Sequence, residues 1–183
     1  ETAHKLERDR DKIIPAPQRI EILEKTAELV QAKAEEYAHQ SAEEGGKPLI
    51  DSRIELFRAV QGIREAAQSI SKLTGHEIPM NLTSSSMNRI ALTTREPIGL
   101  VAAISAFNHP FNLIVHQVIP AVAVGCPVII KPARTTPLSC LNLVNCLYEA
   151  GLPKDWCQMV VCESSLAEKL VTDSRVSFFS FIG

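Results

Sequence analysis

The sequence predicts an α/β fold in which a parallel sheet is covered by helices on both faces. From residue 98 onward, short apolar runs alternate with patterns typical of helices. These runs are apolar almost without interruption, as strands are when both sides of a parallel sheet are buried. Residues 97–130 contain no Asp, Glu, Lys or Arg, yet Pro110, Pro120 and Pro127 divide them into pieces too short to cross a bilayer. The stretch therefore belongs to a protein core rather than to a membrane span.

The carboxy-terminal half is expected to fold as alternating strands and helices. The apolar run VIIK predicts a strand that ends at Lys131, and Thr136 is expected to cap the helix that begins at Pro137. Pro110 in a first turn and Gly125 after a last turn mark the helix before it. The expected order is strand 98–105, helix 110–124, strand 127–131, helix 137–150, strand 158–162, helix 164–172 and strand 177–182. Ligands of such sheets lie at the carboxyl ends of the strands, so a site is expected there.

The amino-terminal half predicts two amphipathic helices and an exposed segment. Apolar residues recur at spacings of three and four over 17–44 and again over 49–73. Glycines at 45, 46 and 75 follow these two stretches as helix ends. Residues 78–95 are rich in Ser, Thr and Asn and end in an alternating pattern, which predicts an exposed hairpin or arm.

Charge and cysteine content favour a cytoplasmic protein that binds neither nucleic acid nor a membrane. The 183 residues carry a net charge of −2 and have a pI of about 6.2, so no basic surface is expected. The five cysteines form no C-x-x-C pair, which favours reduced, buried thiols and no metal site. The charged amino terminus lacks the apolar region of a signal peptide. Both ends lead us to expect part of a longer chain.

Two polar residues stand at predicted strand ends. Lys131 offers three donors to ribose hydroxyls or a phosphate, although position alone favours a solvated lysine that closes a strand. Asn108 is suited to donate its amide to a developing oxyanion, although position alone favours a cap on the helix that begins near Pro110. His109 and His116 have no carboxylate or nucleophile nearby in sequence. We interpret these histidines as packing or hydrogen-bonded residues.

Longer motifs are more specific than these single residues. Neither G-x-G-x-x-G nor G-x-x-x-x-G-K-[ST] occurs, so residue patterns alone lead to a parallel α/β domain suited to a nucleotide. However, the run REPIGLVAAISAFNHPFNLIVHQVIPAVAVGCPVIIKPARTTPLS, the closing LVTDSRVSFFSFIG and the E-x-G-K-P segment at 44–48 resemble the aldehyde dehydrogenase superfamily. The resemblance extends from about residue 15 to residue 183. It corresponds to the amino-terminal, cofactor-binding portion of that NAD(P)-dependent family.

The resemblance implies a three-part organisation and an activity. Residues 1–77 correspond to amino-terminal helices packing on the cofactor domain, 78–96 to the first leg of an oligomerisation arm, and 97–183 to an incomplete, Rossmann-like NAD(P)-binding domain. The family binds NAD or NADP without G-x-G-x-x-G, and its arm implies a homodimer or homotetramer. The implied function is oxidation of a small-molecule aldehyde to a carboxylic acid with NAD(P)⁺.

The resemblance also implies site residues. Asn108 matches the family's Asn whose side-chain amide binds the substrate oxygen, and Lys131 matches the lysine that contacts the adenosine ribose. The further cofactor-binding positions implied are Ile104, Ala106, Phe107, Ala133, Arg134 and Gly183. The family's nucleophilic cysteine, which forms the thiohemiacetal and thioester, and its glutamate lie beyond Gly183. None of the five cysteines takes the nucleophile's place, so the chain alone is not expected to oxidise an aldehyde.

Two departures from the family pattern bear on function. Many NAD-preferring members carry K-P-x-E where this chain has K-P-A-R, so Arg134 predicts dual use or an NADP preference unless it points into solvent. Residues 162–165, CESS, replace a turn that contains glycines in many members. A truncated, non-catalytic member that binds a nucleotide or acts as a scaffold subunit is the alternative function. An unrelated flavodoxin-like or Rossmann module is the alternative fold.

Overall fold

The computed structural model describes residues 1–183, apart from the side chains of Arg10 and Ser164. Helices and strands alternate in its second half, as the sequence predicts. The helices are α1 (Thr2–Glu7), α2 (Ala16–Ala32), α3 (Ala34–Gly45), α4 (Leu49–Ser69), α5 (Pro110–Val124), α6 (Pro137–Glu149) and α7 (Ser164–Thr172). The strands are β1 (Glu77–Ile78), β2 (Ala91–Leu92), β3 (Val101–Ile104), β4 (Val128–Lys131), β5 (Cys157–Met159) and β6 (Phe178–Phe181).

Four strands form one parallel sheet in the order β5-β4-β3-β6. The chain moves outward from β3 to β4 and β5, then returns to place β6 on the other side of β3. Ile104 at the end of β3 stands opposite Lys131 on one side and Phe181 on the other. The connections therefore reverse between β3 and β6, and such a switch point opens a crevice beyond the carboxyl ends of its strands. The predicted parallel α/β class is confirmed.

The core lies between the sheet and a second layer of helices. α5 and α6 contact the strands, and α2, α3 and α4 contact α5 or α6 from outside. Phe111 on α5 is fully buried and stacks on Tyr37 of α3 with 5.7 Å between ring centroids. α5 is packed between the sheet and the amino-terminal helices, with the side chains of Phe111, Ile114, Val118 and Ile119 buried. The amino-terminal helices thus fix the helix that follows the first strand of the sheet.

Some predicted boundaries were wrong. The helix expected over 17–44 is two helices, because the backbone leaves helical geometry at Lys33 with φ −104° and ψ 13°. On either side of this break, α2 and α3 each pack against α4. The helix expected over 49–73 is α-helical to Ser69 and finishes as a 3₁₀ turn over Ile70–Lys72. β5 covers Cys157–Met159 and not 158–162, because its register with β4 ends at Met159, opposite Ile130. The backbone N–H of Val160 makes one further bond to the Ile130 carbonyl, at 2.9 Å.

Residues 78–95 form the exposed hairpin that the sequence predicts. β1 and β2 pair in antiparallel fashion, and between them Leu82, Met87 and Ile90 expose their side chains. The hairpin is closed by a tight approach at Gly75, where a Cβ atom would lie 1.5 Å from the carbonyl oxygen of Thr93. Only glycine fits there. None of the helices in the described part of the chain is long and apolar enough to cross a membrane.

Glu44, and not Thr136, caps α6. Thr136 occupies the N-cap position, but its hydroxyl is buried without a hydrogen-bond partner. The Glu44 carboxylate, at the end of α3, accepts hydrogen bonds from the backbone N–H groups of Leu138 and Ser139, each at 2.9 Å, and from the Ser139 hydroxyl at 2.5 Å. A negative charge at this point also complements the positive end of the helix dipole. The cap therefore comes from a residue more than 90 positions away in sequence.

We expect Glu44→Ala to lower the free energy of unfolding by ~1–2 kcal/mol, because two backbone donors and a hydroxyl lose a charged acceptor. Chemical denaturation of the full-length protein measures the effect. Glu43→Ala is the matched control, since Glu43 is the exposed neighbour on the same helix. Equal stabilities for the two variants would show that α6 does not need the Glu44 cap.

Candidate functional site

The end of β3 and the loop after it bring four of the predicted site residues to the switch point. Ile104 and Ala106 are half-buried, whereas Phe107 and Asn108 are exposed. The backbone N–H of Ile182 donates to the Ile104 carbonyl at 3.0 Å, which brings the chain end at Gly183 alongside this loop. A lining of backbone and uncharged side chains along two strand ends suits a flat cofactor lying across the crevice.

Gln117 of α5 ties the two strands of the switch point together. Its side-chain Nε2 donates to the Ile104 carbonyl at 3.0 Å and to the Ser180 carbonyl at 3.2 Å. Gln117 is only 4% exposed, so these bonds lie away from water. The sequence contained no signal for this role beyond a polar residue in an apolar helix. The contact sets the spacing of β3 and β6 just below the crevice.

Lys131 is buried, so the alternative of a solvated lysine is wrong. The residue is 6% exposed, and its Nζ donates only to the carbonyl of Pro132, at 3.4 Å, among the residues that the structure describes. A buried ammonium group with three donors and one long hydrogen bond is costly unless further acceptors approach it. The Ser105 hydroxyl is also buried without a partner. These donors fit the ribose hydroxyls of a nucleotide cofactor.

Arg134 lies beside the loop that follows β5. Its guanidinium donates to the Glu163 carboxylate at 3.1 Å, and both side chains are more than 60% exposed. Arg134 therefore lies at the surface, in a solvent-exposed pair with Glu163. Ala133, just before it, is half-buried. The pair spans the ends of β4 and β5, next to the buried Lys131.

Asn108 does not cap α5, so that alternative is wrong as well. His109 is the N-cap residue, and its side chain makes no capping bond. The first-turn N–H groups of Phe111 and Asn112 donate instead to one carboxylate oxygen of Glu55, at 2.7 and 2.9 Å. The Glu55 side chain is fully buried within α4 and its surroundings. The Asn108 side chain is thereby free of a capping task at the sheet edge.

Lys47 neutralises Glu55 and contacts the Asn108 loop. Its Nζ lies 2.6 Å from the second carboxylate oxygen of Glu55. The same Nζ donates to the backbone carbonyl of Asn108 at 3.3 Å and lies 3.2 Å from His109 Nδ1. The sequence prediction missed this cluster of Lys47, Glu55 and the Asn108 loop. The one signal for this cluster in the sequence was the E-x-G-K-P segment. Its Glu44 caps α6, and its Lys47 binds Glu55, which caps α5.

A groove of about 250 Å³ runs between α4 and α5 next to His109. Arg58 lies in it and forms no ion pair or hydrogen bond with any residue described. His116 is exposed, and its Nε2 lies 3.3 Å from Asn112 Nδ2. The predicted polar-contact role of His116 therefore fits. The groove is lined by Asp51, Ile54, Glu55, Arg58, His109, Asn112, Leu113 and His116.

The cysteines are placed as structural thiols. Cys126, Cys140, Cys146 and Cys157 are buried, and Cys162 is half-buried. Burial raises the pKa of Cys157 to about 12 and raises the pKa of Cys140 as well, with a smaller contribution from its neighbour Cys157. These two thiols stay protonated near neutral pH and are poor nucleophiles. No group of three or more His, Cys, Asp or Glu side chains among the described residues is arranged to hold a metal ion.

Parallel strands, a switch-point crevice and a buried lysine at the strand ends define a nucleotide-binding α/β protein. The comparison with known families is more specific. The profile of the aldehyde dehydrogenase family matches residues 2–183, and the chain belongs to that family.

Individual relatives agree with this assignment. The chain is 38% identical over 167 residues to 3-sulfolactaldehyde dehydrogenase of Priestia aryabhattai, which covers 91% of the chain and 35% of the relative. Its fold is similar to aldehyde dehydrogenase 21 of Physcomitrella patens in complex with the product succinate, with a TM-score of 0.91, 30% identity, and coverage of 97% and 38%. It is also similar to glyceraldehyde-3-phosphate dehydrogenase of Methanocaldococcus jannaschii complexed with NADP, with a TM-score of 0.89, 30% identity, and coverage of 98% and 39%. The chain thus spans little more than a third of these proteins.

Proposed function

We propose that this chain is the amino-terminal, cofactor-binding part of an NAD(P)-dependent aldehyde dehydrogenase that oxidises an aldehyde to a carboxylic acid. The observation that carries the proposal is the placement of Asn108 and the buried Lys131 at the same edge of the sheet: Asn108 lies in the loop after β3, and Lys131 ends the adjacent strand β4. Family membership supports the reaction class. The alternative function is that of a non-catalytic family member that binds a nucleotide or acts as a scaffold subunit.

In this proposal, some residues of the chain bind the cofactor and Asn108 binds the substrate. Lys131 and the strand end at Ile104 would hold the ribose side of the cofactor, which when bound would supply the hydride acceptor. Asn108 donates its side-chain N–H to the aldehyde oxygen as negative charge develops there. An amide suits this task because it donates without titrating, and a fixed dipole acts strongly where water is excluded. By family resemblance, the nucleophile and the water-activating group belong to the part of the family fold that this chain does not span.

Asn108→Ala in the full-length protein should lower kcat for aldehyde oxidation by about 10²–10³-fold, the usual effect of losing one oxyanion donor. The dissociation constant for NAD(P)⁺ should stay within about twofold, because Lys131 is untouched. Asn145→Ala on α6 is the control, since Asn145 is exposed away from the crevice. Cofactor binding without oxidation of any aldehyde by the wild type would favour the non-catalytic alternative.

Arg134 supports use of NADP as well as NAD. Its guanidinium lies at the end of β4, three residues beyond the buried Lys131 and in the loop where many NAD-preferring relatives carry a glutamate. A guanidinium attracts a 2′-phosphate and a carboxylate repels it. In the structure described here the partner of Arg134 is Glu163, so a 2′-phosphate would compete with Glu163 for the same donors. The similar Methanocaldococcus jannaschii structure holds NADP.

We expect Arg134→Glu to lower the ratio of kcat/KM for NADP⁺ over NAD⁺ by at least about tenfold, because repulsion replaces attraction at the 2′-phosphate. Glu163→Gln should shift the ratio the other way, since it frees the guanidinium. Steady-state kinetics with each cofactor give both ratios. If both variants keep the wild-type ratio of kcat/KM for NADP⁺ over NAD⁺, neither Arg134 nor Glu163 influences binding of the 2′-phosphate.

The substrate is proposed to be a small aldehyde that carries an acidic group. The similar proteins named above act on 3-sulfolactaldehyde or glyceraldehyde-3-phosphate, or hold succinate, and each of these molecules is an anion. In this chain the groove beside His109 offers Arg58 as an uncommitted cation. Glu55 in the groove is neutralised by Lys47, and Asp51 lies seven residues from Arg58, roughly 10 Å along the helix axis. The guanidinium of Arg58 is thus suited to a carboxylate or sulfonate.

Arg58→Met should lower kcat/KM for succinic semialdehyde by about 10–100-fold, because a charged hydrogen bond is lost, while butanal, the uncharged analogue, should change by less than about twofold. Arg64→Met on the same helix is the control, since Arg64 is engaged by Gln31. An equal decrease in kcat/KM for the charged and the uncharged aldehyde would mean that Arg58 does not bind the acidic group.

The exposed hairpin is proposed to contact a second copy of the chain. Leu82, Met87, Ile90 and Leu92 leave apolar surface uncovered on a two-stranded unit that has little core of its own. Such a segment gains stability when it pairs with another subunit, which supports a homodimer or homotetramer. Buried, reduced cysteines support a cytoplasmic location.

A further inference from the structure

We propose that Lys47 and Glu55 are positioning residues for Asn108: together they fix the backbone of the loop that carries the oxyanion-binding amide. This inference rests on the proposed function for its catalytic consequence. Neither residue lies in the carboxy-terminal half that forms the sheet. Both come from the amino-terminal helical layer and reach the loop between β3 and α5.

The first step is the burial of the Glu55 carboxylate. Its side chain has no exposed surface, and Lys47 is only 12% exposed, so the pair is shielded from water. A buried carboxylate is stable only when every oxygen is engaged by a donor. One oxygen accepts from the N–H groups of Phe111 and Asn112, and the other accepts from Lys47 at 2.6 Å. The carboxylate therefore has one geometry, and the first turn of α5 has one position relative to it.

The second step is the contact from Lys47 to the loop itself. The same Nζ that is held by Glu55 donates to the Asn108 carbonyl at 3.3 Å. The chain at Asn108 is consequently held at two points: its own carbonyl is bound by Lys47, and the amides three and four residues later are bound by Glu55. The Asn108 side chain is exposed and makes no hydrogen bond among the described residues. A fixed backbone beneath a free amide is the arrangement expected of a preorganised donor.

The third step is that a small displacement at this loop is costly. A misplacement of about 1 Å in a catalytic group can cost up to about 100-fold in rate even when the substituted residue is remote from the chemistry. Lys131 and the ends of β3 and β4, which are proposed to hold the ribose of the cofactor, are not contacted by Lys47 or Glu55, although the Asn108 loop also carries the proposed cofactor positions Ala106 and Phe107. Loss of the Lys47–Glu55 pair should therefore affect catalysis through Asn108 and leave cofactor binding intact.

The test uses the full-length protein and succinic semialdehyde as the probe. Lys47→Met should lower kcat by about tenfold or more with the NAD(P)⁺ dissociation constant within about twofold. Lys47→Arg should recover most of the lost activity, because a guanidinium can reach the same acceptors. Lys33→Met is the matched control, since Lys33 forms an exposed ion pair with Glu149 at 3.4 Å on the same helical layer.

A double-mutant cycle separates positioning from general stability. If Lys47 acts through Asn108, adding Lys47→Met to Asn108→Ala should cost less than about twofold more. If Lys47 only stabilises the fold, the two losses should multiply. Multiplied losses, or a Lys47→Met protein with unchanged kcat, would overturn the inference. Where Lys47→Met does not fold, Lys47→Met combined with Glu55→Gln removes both charges together and takes its place in the cycle.

Hydrogen exchange gives a readout that needs no activity. The backbone amides of Phe111, Asn112 and Leu113, which all donate hydrogen bonds in the structure, should exchange at least about fivefold faster in the Lys47→Met protein than in the wild type, and Lys33→Met should leave them unchanged. Unchanged exchange would overturn the inference on its own. If the wild type oxidises neither succinic semialdehyde nor butanal, the proposed function fails, and the exchange rates still decide whether Lys47 holds the loop.

Discussion

The buried carboxylate of Glu55 is the interaction on which the arrangement of the crevice depends. It joins α4 to the first turn of α5, and α5 begins at the loop that leaves the central strand of the sheet. Removing such a carboxylate from water costs several kcal/mol, so the pair with Lys47 and the two backbone donors must form together. Helix, loop and amino-terminal layer are thus coupled, and the position of Asn108 follows from that coupling.

A glutamate of the amino-terminal helices also caps the next helix, α6. Glu44 at the end of α3 caps α6, the helix that follows the strand ending in Lys131. Gly46 then adopts a left-handed conformation with φ +63°, which ends α3 and allows Lys47 to turn toward α5. One five-residue segment therefore serves both helices that leave the cofactor edge. These contacts give a physical reason for the E-x-G-K-P pattern. Its glutamate, Glu44, caps the start of α6, and its lysine, Lys47, binds Glu55 and the loop before α5. The starts of both helices border the site.

Local patterns predicted the elements better than the contacts between them. Near-continuous apolar strands and alternating helices identified the parallel sheet, and strand-end position led to Asn108 and Lys131. The break at Lys33 carries no glycine or proline, so periodicity alone extended one helix through it. Position also suggested that Asn108 and Thr136 cap helices, whereas acids from the amino-terminal layer do so, from 56 and about 95 residues away. Such long-range caps leave no local signal, and the burial of Lys131 likewise depends on the packing of neighbouring loops.

The most direct test of this account is a crystal structure of the full-length protein with NADP⁺. The account predicts that the Lys131 Nζ lies within hydrogen-bond distance of the cofactor ribose and that the Asn108 amide faces the reactive end. It also predicts that Glu55 remains buried against the start of α5 and paired with Lys47. A cofactor bound away from the ends of β3 and β4, or a Glu55 side chain turned to solvent with Asn108 unmoved, would contradict it.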